Sequence, residues 1–268
     1  MTTLAPTPSP TGAAPAPTFD PIPFSRVTSV ELRKMFDTRS GFWLMASIGI
    51  LAVLATSAVL LFAPDDELTY ETFAAAIGFP MAVVLPVIAV LSVTSEWSQR
   101  TGLTTFTFVP GRGRVIAAKA LCAVGIGVVS MVAAAAIGAL GNVVGAAIAG
   151  VDTVWNVSAI DLGLIILANV LGLLVGFMLG VLLRSSAAAI VAYFVYSFVL
   201  TGLTELLAVN QQWFADARGW VDFNFAQGPL FDGDVSLEQW AQLGVSGFFW
   251  LVLPLAVGLR MVLRSEVK

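Results

Sequence analysis

Histidine is absent from all 268 residues, which removes a His-based general base, a Ser/His/Asp triad and an imidazole metal site. The single cysteine, Cys122, cannot close an intrachain disulfide or build a thiolate zinc cluster, and within its apolar run it reads as an inert buried thiol. Charge is scarce as well. Asp, Glu, Lys and Arg make up 11% of the chain against about 25% in an ordinary soluble domain, which together with 58% apolar residues excludes a soluble globular protein. A mean hydropathy of +0.91 excludes disorder for the bulk of the chain, because unfolded segments combine low hydrophobicity with high net charge. A net charge of −4 and a pI near 4.8 give nucleic-acid binding no overall electrostatic support. No G-x-x-x-x-G-K-[ST] loop occurs, and Pro110-Gly111-Arg112-Gly113-Arg114 lacks the lysine and hydroxyl at that spacing, so the chain does not bind ATP by that route. A polytopic membrane protein is what remains.

Six apolar stretches approach or exceed the roughly 20 residues that a helix needs to cross about 30 Å of hydrocarbon. They lie at 42–63, 74–95, 117–149, 160–183, 187–209 and 241–263, predicting an all-α chain. The third is too long for one straight crossing and must tilt, bend at Gly141/Gly145 or project into water. Ahead of the spans, residues 1–23 hold seven of the thirteen prolines and no basic residue, the composition of a disordered Pro/Thr/Ala tail without the charged and apolar regions of a signal peptide. Residues 24–40 place Phe24, Val27, Val30 and Met35 at near-helical spacing among Arg26, Arg33, Lys34 and Arg39, which reads as an amphipathic helix along the membrane surface, the alternative being an ordinary charged flank of the first span.

Twelve of the thirteen Lys and Arg residues fall on one side of these spans and only Arg218 on the other, giving sides of +7 and −11. The positive-inside rule therefore puts both termini in the cytoplasm. Trp43, Trp97, Trp155, Trp213, Trp220 and Trp240 fall at or beyond span ends, as an aromatic belt would place them.

Ionisable residues within spans mark ion or proton coupling, because they are costly there. Here they are nearly absent: Asp161 and Glu205 sit near outer span ends, and Arg260 and Arg264 are close enough to the inner face to snorkel. Gly172, Gly176 and Gly180 form a stripe that lets another helix approach closely, within or between chains. Asn142 and Asn169 read as interhelical hydrogen-bond partners. Pro80 and Pro86 in the second span each remove a backbone hydrogen bond and allow a bend. The segment 210–240 reads as short re-entrant or interfacial helices capping the outer mouth, and Ser236 with Gln239 forms a capping box before the last span.

The connection 96–119 is too polar for lipid at Ser95–Gly102, yet Phe106, Phe108 and Val109 are too apolar for a solvated linker. A short amphipathic element pressed against another protein fits it, and the alternative is a basic loop touching anionic lipid through Arg100, Arg112, Arg114 and Lys119. A glutamate at the end of the second span, then R-T-G, a threonine-rich run, a proline, a basic cluster and A-A-K-A-L resembles the signature of the ATP-binding-cassette type-2 permeases, especially those of actinobacteria. The resemblance extends to Glu31 and Lys34 of the first helix, the six spans, the long segment before the last span and the basic C-terminus.

The resemblance implies the type-V exporter fold with an N-terminal elbow helix, in a bacterial cytoplasmic membrane. It implies an ATP-driven exporter built from two permease chains, alike or different, and two separate ATPase subunits that carry ATP and Mg, so that this chain holds no cofactor and no catalytic residue of its own. Glu96, Arg100, Thr101, Gly102, Phe106 and Phe108 would belong to the coupling helix, with Glu31 and Lys34 beside it. The second and fifth spans would line the translocation path, suggesting Phe79, Pro80, Met81, Tyr193, Tyr196 and Phe198, each of which packing or lipid contact also explains. The cargo would be hydrophobic or amphiphilic: a drug, an antibiotic peptide or a lipid-like molecule. The rival readings are a non-transporting anchor or sensor that recruits a cytoplasmic partner, and an ion-coupled carrier.

Overall fold

A computed structural model describes residues 22–37, 39–98 and 111–264. They are predominantly helical, with no strand among the described residues beyond an isolated bridge between Thr69 and Val154. Among the described residues, six helices are long and apolar enough to cross a membrane, which is the architecture of a multi-pass membrane protein.

Helix α1 (Phe24–Asp37) leads into α2 (Arg39–Phe62), and α3 (Tyr70–Ser98) is followed by α4 (Arg112–Ala149). Helix α5 (Ala159–Leu183) turns directly into α6 (Ser186–Asn210). Three short helices follow, α7 (Gln212–Val221), α8 (Phe223–Ala226) and α9 (Pro229–Asp232), before the last long one, α10 (Leu237–Arg264). Five of the six predicted spans are within about four residues of these bounds at either end. At α4 the start moves further: residues 112–119, expected in the connecting loop, are helical.

Local chemistry sets the ends. Helix α4 stops at Gly150, whose left-handed backbone (φ 70°) lets its N–H bond the Ala146 carbonyl. Helix α5 starts on a capping box between Ser158 and Asp161, and α10 on the expected box between Ser236 and Gln239. Within α10, a π-helical stretch at Phe248–Val252 precedes Pro254, which has no N–H to offer the Trp250 carbonyl; a widened turn absorbs that break.

Helix α3 is the centre of the bundle. Its residues Met81, Leu85, Ala89 and Val93 recur every four positions and pack on Leu173, Phe177 and Val181 of α5, spaced the same way. The α5 glycines make this approach possible within one chain. A Cβ at Gly176 would lie 2.6 Å from the Pro86 carbonyl oxygen, and Gly180 lies against Val90 and Val93. A second set on α4 receives Phe73 of α3, which lies beside Gly138, Gly141 and Gly145.

Gly141 and Gly145 therefore serve close packing and not a bend, and α4 runs unbroken over 38 residues. Its excess length is used at the start, where Val115 and Ala118 pack on Val27 of α1 and the Cys122 thiol donates to the Thr28 carbonyl. The two asparagines also differ from expectation. Asn142 donates to the Val154 carbonyl in the loop after its own helix and Asn169 to Ile165 one turn back, so neither bridges two helices among the described residues. A backbone carbonyl within reach satisfies the amide N–H, and each side-chain oxygen stays without a partner.

Contacts define two ends of the bundle. Lys34 with Glu96, Thr94 with Ser186, and Arg112 with Val262 mark a proximal end. Tyr70 with Val154, and Gly233 against Asp161, mark the distal end.

Candidate functional site

At the proximal end three helices meet around four ionisable side chains. Helix α1 turns Glu31 inward one turn after the buried Val27, α3 presents Glu96 in its final turns, and α4 brings Lys119 one turn after Val115. Lys119 Nζ lies 2.5 Å from Glu31 Oε2 and 3.2 Å from Glu96 Oε1, and it donates to the Ser92 carbonyl at 3.2 Å. Glu31 and the Ser92 carbonyl accept hydrogen bonds from the ammonium, and Glu96 is held by ion-pair contact. Lys34 Nζ lies 2.9 Å from Glu31 Oε1 and 3.0 Å from Glu96 Oε1. The bonds form a closed ring, Lys34 to Glu31 to Lys119 to Glu96 and back, in which two ammoniums alternate with two carboxylates.

Burial makes the ring matter. Glu31, Glu96 and Lys119 are 3%, 4% and 5% exposed, whereas Lys34 reaches water along its outer side. Exposed ion pairs contribute about 0–1 kcal/mol, but removing one partner of a buried pair costs about 3–5 kcal/mol, because a charge is left without its counter-ion. Partial burial alone would lower the Lys34 pKa; the hydrogen bonds and charges of Glu31 and Glu96 outweigh it and hold the ammonium above the ordinary lysine value.

Glu31, Lys34 and Glu96, expected to act together, are thus brought together. Arg100, Thr101, Gly102, Phe106 and Phe108 lie outside the described residues. Lys119 completes the ring; the sequence places it in the connecting loop, among residues available to lipid, and the structure buries it. The signal that finds it is the spacing of Val115, Ala118, Lys119 and Cys122, one buried helical face that contains a lysine.

A search of protein-family models finds no match, and no curated protein matches the chain.

The six residues suggested for a path do not share one surface. Met81 and Tyr193 are buried in the bundle, and Phe79 and Phe198 point outward, at 71% and 50% exposure. Pro80 is half-buried. Tyr196 is half-buried beside Trp250, ring centroids 5.7 Å apart, with its hydroxyl buried and unpartnered, while Phe198 stacks on Phe194.

A second polar node holds the distal end. Arg218 of α7 is buried, its guanidinium 2.5 Å from Glu205 of α6 and 3.3 Å from Asp222, with its Cζ 4.3 Å from the centroid of the Phe225 ring. Thr204 donates to Asp222 at 2.7 Å, and Asp222 accepts the backbone N–H groups of Asn224 and Phe225. This network ties the short helices back onto the end of α6. Glu205, near the outer end of its span, is paired with arginine and mostly exposed at that end.

Proposed function

We propose that the chain is the membrane subunit of an ATP-driven exporter of the type-2 permease kind, working with a second permease chain and two separate ATPase subunits. The observation that supports this reading is the buried ring of Glu31, Lys34, Glu96 and Lys119 at the foot of the bundle. It joins three helices where the 99–110 connection leaves α3 and returns at α4. A partner pressing on that connection acts on α3 directly, and the ring hands the displacement to α1 and α4. Helix α3, which packs against α2, α4, α5 and α6, then carries it into the bundle.

In this account the ring is a mechanical joint and not a proton relay. Each carboxylate faces two ammoniums, so the four side chains tie the three helices together. The nucleotide and Mg would belong to the ATPase subunits; this chain's own residues receive force and shape the path. Both termini would face the cytoplasm of a bacterial cell, with α1 lying along the membrane surface as the elbow.

The test is isolation of the tagged chain from its native host in mild detergent, with mass spectrometry of what accompanies it and an ATP hydrolysis assay. The expected result is a soluble nucleotide-binding subunit, lost on Glu96→Lys while the chain still inserts in the membrane. Recovery of the wild-type permease without such a subunit and without hydrolysis overturns the reading in favour of an anchor or carrier.

A further inference from the structure

Pro86 leaves a defect in the most central helix. In α3 the N–H of residue 86 would bond the Ala82 carbonyl, and proline has none to give, so that oxygen has no partner from its own helix at the expected position. The structure fills the vacancy from outside. The Tyr193 hydroxyl of α6 donates to the Ala82 carbonyl at 2.7 Å, and the tyrosine is buried.

The surroundings are built for this contact. Gly176 of α5 lies flat against the Pro86 backbone, where a Cβ would come within 2.9 Å of the proline Cα. One turn earlier, Gly172 leaves space beneath the tyrosine hydroxyl, 3.9 Å from where its Cβ would be. Twelve residues along α3 from Ala82, on the other side of the proline, Thr94 and Ser186 bond hydroxyl to hydroxyl at 2.7 Å. Helix α6 therefore grips α3 on both sides of Pro86, with Tyr193 two turns from Ser186 on its own helix.

We propose that α6 is a splint across a proline joint in α3, and that Tyr193 is a positioning residue whose hydroxyl takes the place of the backbone donor that Pro86 lacks. With the hydroxyl engaged, the half of α3 that carries Glu96 is held in line with the half that carries Met81. With it withdrawn, the Ala82 carbonyl is unpaired and α3 turns more freely at residue 86. This assignment replaces a cargo-contact role for Tyr193 and does not depend on transport. Under the exporter reading, the joint is where displacement at Glu96 becomes tilt of the far half of α3.

A double-mutant cycle with Pro86→Ala tests it, read as amide hydrogen exchange over residues 82–92 of the full-length chain in detergent. Tyr193→Phe should speed exchange there about tenfold, the effect of leaving one buried carbonyl unpaired. Pro86→Ala restores the helical N–H, so Tyr193→Phe on that background should change exchange by less than about twofold. Equal acceleration on both backgrounds, or none on the first, overturns the splint. Should Tyr193→Phe fail to fold, Pro86→Ala alone decides: slower exchange at these amides supports the joint and unchanged exchange refutes it. Exchange is measured without nucleotide or cargo, so failure of the exporter reading leaves this result standing.

Discussion

Replacing Lys119 with methionine strikes the ring at its most enclosed cation. The substitution keeps most of the stem and removes the ammonium, so Glu31 and Glu96 lose a counter-charge at 2.5 and 3.2 Å and the Ser92 carbonyl loses a donor at 3.2 Å. Both carboxylates are almost wholly buried, so the buried-pair penalty of about 3–5 kcal/mol applies, a shift of roughly two to four powers of ten in the folded-to-unfolded ratio. Denaturant unfolding of the purified chain in micelles reads it, with Arg33→Met, on the exposed side of α1, as a control expected within about 0.5 kcal/mol of wild type. Adding Glu31→Gln to Lys119→Met restores the balance of one cation to one anion and should recover part of the loss. Raising salt from about 0.1 to about 1 M cuts the Debye length from about 10 to about 3 Å and should leave the difference between wild type and variant largely in place. A loss under about 1 kcal/mol, or one that salt abolishes, is the behaviour of a water-screened pair and refutes the reasoning.

Further expectations follow from single contacts. Gly176→Ala drives a methyl group to 2.6 Å from the Pro86 carbonyl and should cost about 1–3 kcal/mol in thermal unfolding, whereas Gly163→Ala, on the same helix with nothing within 4 Å, should be neutral or stabilising by up to about 1 kcal/mol. Equal effects at the two sites would contradict close α3–α5 packing. Because the Lys34 pKa is raised by folding, its stabilising contribution is complete below the unfolded value of 10.5 and is lost only as pH rises through the higher folded value. NMR titration of the methylated lysine side chains should show Lys34 falling in pKa on Glu96→Gln; an unchanged midpoint would contradict the ring.

Much of the fold is legible because a membrane leaves few choices. Each crossing must satisfy its own backbone and present apolar side chains, so six apolar runs yield six helices with little ambiguity. Ser236 and Gln239 announce a helix start by local chemistry alone, and the α5 glycines announce a close neighbour. What the sequence does not say is which neighbour, since the pairing of Gly176 with Pro86 is a matter of tertiary register. Lys119 shows the same limit from the electrostatic side. Two arginines alternating with two glycines just upstream suggest a solvated loop, while its own alanine and valine neighbours belong to a helix already packed on α1. Tyr193 is the reverse case. The orphan carbonyl at Ala82 can be deduced from Pro86, but the hydroxyl that reaches it comes from 111 residues away.

The most direct test of the coupling claim places a photo-reactive amino acid at Phe106 or Phe108 of the full-length chain and irradiates membranes of the native host. If the connection between α3 and α4 receives force from an ATPase, these positions should crosslink to a nucleotide-binding subunit, and Glu96→Lys should abolish the crosslink. Crosslinks to lipid alone, or to this chain alone, would contradict the account.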